Sequence, residues 1–293
     1  MEPVKRLPYV WFGGKRTIAD KVWERLGCPH TYIEPFFGGG AVFFAMSYRP
    51  NITILNDKDG FIPNFLRASR SDPEAVAHHA TCEYTEIDLK ARHGWLIRRR
   101  EWLEQSLADP DFYDAKAAGW WVWGANLHLG GGWCGDKNTG NRPQIGQPMG
   151  INTITDKVGF LHGIADKLKG CYILCGGWER SIAGRSLAWR PQTVGVFLDP
   201  PYTIEHAPKS GDKNVYKNYD DVNGGVFEWA LKNGDNPNLR IAVCGMRDEY
   251  VFPPEWERIE WEHRGGLKGL NARKEAVWFS PHCLRELTLF KHL

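Results

Sequence analysis

Asp199-Pro200-Pro201-Tyr202 directly follows the apolar run Val194-Gly195-Val196-Phe197-Leu198. The run reads as a buried strand, so the tetrapeptide puts a carboxylate and an aromatic ring at the strand's mouth. Those groups suit the methylation of a planar amine such as the exocyclic amine of a base. That nitrogen is a poor nucleophile because its lone pair is delocalised into the ring. A carboxylate and a neighbouring carbonyl that accept its two hydrogens leave the lone pair free to attack. Each proline fixes φ and lacks an N–H, which stiffens the turn and lets the Pro200 carbonyl point at a ligand instead of into a ladder. Tyr202 offers a face on which a flipped base can stack. The same residues also suit a plain proline turn, with Asp199 as turn former and Tyr202 as packing.

Other elements carry compatible groups. Thr31-Tyr32-Ile33-Glu34-Pro35-Phe36-Phe37-Gly38-Gly39-Gly40 reads as a short strand running into a glycine-rich turn, and Ala41 to Met46 as a buried helix. Ligands of open α/β sheets bind at such strand ends. The glycine spacing matches neither the dinucleotide fingerprint nor a P-loop, which disfavours a phosphate cradle. Ile52-Thr53-Ile54-Leu55-Asn56-Asp57 reads as a second strand ending in an acid, where nucleoside sites place a carboxylate on a ribose diol. Asp57 also suits the N-cap of a helix starting near Gly60-Phe61-Ile62. Trp11-Phe12-Gly13-Gly14-Lys15 precedes an amphipathic stretch with Ile18, Val22 and Leu26 that stops at Gly27.

Together these elements resemble the DNA adenine methyltransferases of the Dam type. Trp11 to Lys15 is similar to that family's N-terminal Gly-Gly-Lys element, and Glu34 to Gly40 to its Glu-Pro-Phe-x-Gly-x-Gly cofactor loop. Asp57 falls on the acid ending its second strand, and Asp199 to Tyr202 on its Asp-Pro-Pro-Tyr. Arg273-Lys274-Glu275-Ala276-Val277-Trp278-Phe279-Ser280-Pro281 is similar to the family's last strands, and the order of elements agrees. The resemblance implies an α/β fold: a Rossmann-like S-adenosylmethionine-dependent methyltransferase sheet with an inserted, mostly helical target-recognition lobe. It implies S-adenosyl-L-methionine as cofactor, double-stranded DNA as partner, and N6 of a flipped adenine as acceptor. Carried over by position, Trp11, Lys15, Glu34, Pro35, Phe36, Gly38, Gly40, Asp57 and Asp199 surround the cofactor. Asp199, Pro200, Pro201 and Tyr202 hold the base. The chain departs from the pattern after Tyr172-Ile173-Leu174-Cys175, where relatives often carry an acid or amide near the cofactor's adenine. Here Gly176-Gly177-Trp178-Glu179 follows, which leaves that contact to a backbone group or Glu179.

In this family the recognition lobe lies between the second strand and the catalytic motif. The expected division is therefore a discontinuous catalytic domain, 1–70 with 169–293, and an insert, 71–168. Within the insert, 126–155 is rich in Gly, Asn, Gln and Pro and reads as a long functional loop. Its Lys137, Asn138, Arg142, Gln144 and Gln147 carry side chains that read base edges or grip phosphates, or simply serve as polar turn residues. The preceding Trp120-Trp121-Val122-Trp123 is expected to pack beneath the insert.

A chain of 293 residues, 42% hydrophobic and 25% charged, suffices for one large α/β core with an inserted lobe. No apolar run approaches the ~20 residues that span a bilayer, and the N-terminus shows no secretory core, so a cytoplasmic location is expected. Cys28, Cys82, Cys134, Cys171, Cys175, Cys244 and Cys283 form no CxxC pair, which points to reduced thiols and away from zinc or disulfides. The net charge of +2 leaves any DNA surface to local clusters. Candidates are Arg98-Arg99-Arg100; Lys137 with Arg142; Lys209, Lys213 and Lys217; and Arg264 with Lys268. For the arginine triplet, a solvated face of a helix from Glu86 to Gln105, screened by neighbouring acids, is the simpler expectation. A helix at 220–233, strands at 238–244, 257–262 and 274–279, and a polar flap at 203–219 complete the reading. Two other functions share these motifs. One is methylation of another planar amine: cytosine N4, an RNA base or a protein glutamine. The other is a catalytically silent DNA-binding relative.

Overall fold

A computed structural model describes residues 2–11, 14–127, 133–134, 148–187, 192–201, 213–262 and 274–285; at 185–186, 213–221, 262 and 274 it describes the backbone only. Seven strands among these residues form a mixed sheet: β1 (Thr31–Glu34), β2 (Ile52–Asp57), β3 (Tyr172–Cys175), β4 (Val194–Leu198), β5 (Leu239–Met246), β6 (Glu257–Glu262) and β7 (Lys274–Phe279). Their order is β3-β2-β1-β4-β5-β7-β6. The α/β expectation is met, and the sheet is consistent with the methyltransferase fold that the resemblance implies. By contact the chain divides into two compact units.

The unit made of Asp20–Phe36, Pro50–Thr53 and Ile182–Leu293 holds Asp199, Pro200 and Pro201. Within it β1 pairs parallel with β4 and β4 with β5, while β7 runs antiparallel to both β5 and β6. All five residues of β4 are buried, which is why its sequence is a continuous apolar run and not an alternating one. Helix α1 (Ala19–Leu26) buries Val22 and Leu26, and its Arg25 grips Glu257 bidentately at 2.7 and 2.8 Å. The last helix begins at Lys213 and runs to Asn233, earlier than the sequence suggests. Part of the expected flap is thus helical.

The other unit comprises Met1–Ala19, Phe37–Arg49 and Ile54–Ser181. Its parallel pair β2–β3 is accompanied by helices α2 (Ala41–Ala45), α3 (Phe61–Ser71), α4 (Pro73–His79), α5 (Glu86–Ser106), α6 (Ala115–Ala125) and α7 (Lys157–Leu168). Four of these helices start on a side chain that accepts a backbone N–H: Asp72 from Ala75, Thr85 from Asp88, Asp114 from Ala117 and Asp156 from Gly159. Each cap satisfies an amide the helix cannot, a contribution of about 1 kcal/mol apiece. Helices α3 and α4 pack on both α6 and α7, and α5 packs on α6. Trp121 and Trp123 are fully buried there, as expected of the tryptophan-rich stretch. Among the described residues no helix is long and apolar enough to cross a membrane.

Candidate active site

In the unit of Phe37–Arg49 and Ile54–Ser181, the glycine turn and the end of β2 meet through one carboxylate. Asp57 Oδ2 accepts from Gly38 N at 2.8 Å and Oδ1 from Asp59 N at 2.9 Å, while Phe37 N donates to Asn56 O at 2.9 Å. Asp57 is partly open at the surface yet ringed by protein. Desolvation raises its pKa to about 7, against the lowering effect of the backbone amides of Gly38 and Asp59. The helix start belongs to Asp59 instead, whose Oδ1 accepts from Phe61 N at 3.2 Å. The N-cap alternative for Asp57 therefore misses by two residues.

Gly38 and Gly40 sit at φ 48° and 62°, in the left-handed region that disfavours a side chain. Space matters as much. A Cβ on Gly38 would lie 2.6 Å from Trp11 Nε1, and one on Gly40 would lie 2.3 Å from the Phe37 ring. The Gly38 backbone also accepts from the Tyr9 hydroxyl at 2.6 Å. Asn126, fully buried at the end of α6, holds the segment that carries Tyr9 and Trp11. Its Nδ2 donates to Pro8 O at 2.9 Å and Val122 O at 2.8 Å, and its Oδ1 accepts from Val10 N at 3.1 Å. Trp11 is thus seated on the glycine turn, and Lys15 is buried a few residues on. This arrangement gives a ligand a half-exposed indole, a glycine turn and a desolvated carboxylate suited to a diol.

After β3 the backbone takes over. Gly176 N donates to Asp57 O at 3.0 Å, and Asn56 Nδ2 donates to Gly176 O at 3.1 Å. Glu179 folds back until its Oε2 lies 2.7 Å from where a Gly177 Cβ would be. The glycine pair lets this carboxylate lie over the strand end.

In the other unit, the β1–β4 register pairs Thr31 with Val194 and Ile33 with Val196, so both strands leave the sheet on the same side. Glu34 ends β1, fully buried, and accepts from the Tyr32 hydroxyl at 2.8 Å. Pro35 is buried, and Phe36 is half-exposed. Asp199 and Pro201 are half-buried beyond β4, with Pro200 buried between them. The Pro201 carbonyl accepts from Asn223 Nδ2, and the Tyr250 hydroxyl donates to Asn223 Oδ1. The Tyr250 ring stacks on Phe227 at 5.5 Å between centroids and meets Trp278 edge-on at 5.4 Å. The motif's third carbonyl is therefore held by a packed polar pair. Tyr202 lies outside the described residues, as do Lys137, Asn138, Arg142, Gln144 and Gln147.

Three residues that the sequence did not single out, Tyr9, Asp59 and Asn126, build the first of these strand ends, together with Arg100, which the sequence offered only as part of a basic cluster. Arg100 on α5 reaches Asp59 Oδ1 at 3.3 Å, donates to the Cys134 carbonyl and stacks 4.9 Å over the Phe61 ring. Asp59 is raised in pKa by desolvation, which the Arg100 charge opposes. A second acid two residues after Asp57 and a buried amide closing an aromatic helix were the available signals. Among the described residues no group of three His, Cys, Asp or Glu could hold a metal ion.

With this geometry in hand, residues 11–109 match the family described as D12 class N6 adenine-specific DNA methyltransferase. Over 105 residues the chain is 29% identical to the DNA N-6-adenine-methyltransferase of Escherichia phage P1. That stretch is 36% of this chain and 13% of the phage protein, so the chain spans about an eighth of the length of the curated relative it matches. The resemblance to Dam-type adenine methyltransferases is thereby shown over the stretch that holds Trp11, the glycine turn, Asp57, Asp59 and Arg100. Asp199 to Tyr202 lie beyond it.

Proposed function

We propose that this protein is a site-specific DNA adenine methyltransferase that transfers a methyl group from S-adenosyl-L-methionine to N6 of an adenine flipped out of double-stranded DNA. The observation that carries the reading is the Asp57–Gly38 junction: a desolvated carboxylate at a strand end, bonded to a glycine turn that has no room for a Cβ. Asp57 is assigned to the cofactor's ribose hydroxyls and Trp11 to an apolar face, and the resemblance adds Lys15, Glu34, Pro35, Phe36, Gly38, Gly40 and Asp199. When bound, the cofactor supplies an activated methyl on a sulfonium, so positioning and electrostatics must provide most of the acceleration.

Asp199 and the Pro200 carbonyl accept the two amino hydrogens and leave the lone pair directed at the methyl. Pro201 holds the turn rigid through Asn223, and Tyr202 stacks on the base. No strong base is required, because the amine becomes acidic only once it is methylated. Residues 1–70 and 169–293 form the catalytic domain and 71–168 a mostly helical target-recognition insert, in which Lys137, Asn138, Arg142 and Gln144 contact DNA. The setting is the cytoplasm of a bacterial cell or phage-infected host.

The test is transfer of labelled methyl from S-adenosylmethionine to unmethylated genomic DNA, followed by nucleoside mass spectrometry. N6-methyladenine is expected. N4-methylcytosine keeps the chemistry and replaces the acceptor. Cofactor binding without transfer to DNA overturns the substrate and moves the assay to RNA and protein glutamine. DNA binding without cofactor binding identifies a silent relative.

A further inference from the structure

Helix α5 buries a single narrow stripe, Leu89, Leu96 and Leu103, at heptad spacing. Beside it Arg92, Trp95, Arg99 and Trp102 recur at i, i+3, i+7 and i+10, which puts them along one face. Helix α6 presents Lys116, Trp120 and Trp123 at i, i+4 and i+7. The two rows interleave, cation against ring. The Arg92 guanidinium lies 5.0 Å from the Trp123 centroid and 5.1 Å from Trp120. The Lys116 ammonium lies 4.5 Å from Trp120 and 5.2 Å from Trp95. The Arg99 guanidinium lies 4.3 Å from Trp95 and 5.3 Å from Trp102. Trp95 and Trp120 close the ladder edge-to-face at 5.0 Å.

Such contacts help hold α5 to α6. Charge and exposure exceed what holding two helices requires. Arg92 is offset by Asp88, but among the described residues no carboxylate pairs with Arg98, Arg99 or Lys116. The remaining acids of α5 are engaged elsewhere, Glu86 with Lys90, Glu104 with Arg100 and Glu101 with Gln105. No acid of α5 forms an ion pair with Arg98 or Arg99, and Glu101, one turn from Arg98, is hydrogen-bonded to Gln105. Both arginines are exposed, and Trp102 is 46% exposed. A guanidinium that stacks by its face keeps its N–H donors in the ring plane, at its rim. The surface thus offers three cations without an ion pair among the described residues, two of them held by indole faces.

We infer that the α5–α6 ladder face docks the phosphate backbone of double-stranded DNA, with Arg98, Arg99 and Lys116 as phosphate contacts, Arg99 and Lys116 positioned by Trp95, Trp102 and Trp120. The inference rests on the DNA reading above. Backbone phosphates are the complement of such a face, because their spacing is regular and their recognition indifferent to sequence. The arginine triplet is accordingly split, Arg98 and Arg99 facing DNA and Arg100 bracing the turn after β2.

The experiment compares the intact protein with Arg98→Ala/Arg99→Ala/Lys116→Ala for binding to unmethylated duplex DNA across a KCl series. Each phosphate contact contributes a slope of about 0.9 to log K against log salt. The triple variant should therefore lose a slope of about 2.7, with affinity for S-adenosylhomocysteine unchanged as the check on folding. Arg98→Gln, outside the ladder and exposed, should lose about 0.9 even if the triple variant fails to fold. Arg98→Lys/Arg99→Lys should restore the slope. An unchanged slope in Arg98→Gln and the triple variant overturns the inference and leaves the DNA reading standing. Loss of RNA affinity with DNA slope intact also overturns it and assigns the face to RNA. An intact protein with no DNA affinity at all overturns both.

Discussion

The turn after β2 and the turn after β4 each put an acid at the carboxyl end of a parallel strand, and they are built by opposite means. Asp57 is an organiser: both its oxygens accept backbone amides, and through Gly38 it fixes the glycine turn. Asp199 stands where the ladder ends in two residues that have no N–H to donate, and stiffness there comes from the prolines and from the Asn223 clamp on Pro201. A carboxylate has about four lone-pair sites, so Asp57 can still accept a diol after serving two amides. The lesson is that one acid shapes a binding surface, whereas the other is aimed by a rigid backbone. Substitutions at the two should therefore fail differently.

The largest separation is expected at Asp199. Asp199→Ala should lower methyl transfer by at least about 10³-fold, the scale seen when a group that stabilises a transition state is removed. Affinity for S-adenosylhomocysteine, read by calorimetry, should stay within about twofold. Near-normal turnover would remove Asp199 from its role. At Gly38 the reverse holds. Gly38→Ala meets a left-handed φ of 48° and the Trp11 indole. A left-handed alanine costs about 1–2 kcal/mol, so cofactor affinity should fall about tenfold or more. Adding Trp11→Ala should not restore it, because φ remains and the indole face is lost; full recovery in the double variant would locate the whole cost in the ring contact.

The same contrast explains what was legible in the sequence. Strands β1, β2, β3, β4, β6 and β7 fall where period and punctuation place them, each closed by an acid, glycine or proline, although only some, such as β1 and β4, are buried runs and β6 lies at the surface. Asp57 was legible as a strand-end acid. Its bond to Gly38 was not, since nothing local says that two turns 19 residues apart share a carboxylate. The glycine-rich turn was legible, but not that Trp11 and Phe37 fill the space beside Gly38 and Gly40 or that both residues take a left-handed φ. Tyr9 and Asn126 escaped, and Arg100 was read only as a surface cation, because their partners lie 29, 116 and 41 residues away along the chain. Periodicity reports only which face of an element is buried.

The pH response of the first turn sharpens the comparison further. Desolvation raises the Asp57 pKa from 3.8 to about 7, with Asp59 adding to the rise. In the folded protein the group is neutral below that pH and charged above it. A ribose hydroxyl donates more strongly to a carboxylate than to an acid. Affinity for S-adenosylhomocysteine should therefore rise as pH increases through about 7, by roughly tenfold for the loss of one charge-assisted bond. The sign for stability is opposite. Ionising a desolvated carboxyl costs free energy, so its contribution is fully present below 3.8 and lost as pH rises through about 7. Asp57→Asn should flatten the pH dependence of binding and bind weakly throughout, because an amide accepts on one side only and would turn its NH₂ toward Gly38 N or Asp59 N. A pH-independent affinity in the unmodified protein would take Asp57 out of the cofactor site.

The smallest effect is expected at Arg100, which touches the first turn only through Asp59. Its guanidinium opposes the desolvation of Asp59 and bonds the Cys134 carbonyl, so Arg100→Ala leaves a desolvated carboxyl without its counter-charge. The loss of one partner of this kind costs about 1–3 kcal/mol, which should lower the midpoint of thermal unfolding by several degrees. Cofactor affinity should fall only about threefold, and methyl transfer at saturating cofactor should hardly change. The sign of the pH effect makes the test specific. Without Arg100, Asp59 holds its proton to higher pH, and a neutral Asp59 no longer raises Asp57. The pH midpoint for S-adenosylhomocysteine binding should therefore move below about 7, while a purely structural loss would weaken binding at every pH and leave the midpoint in place.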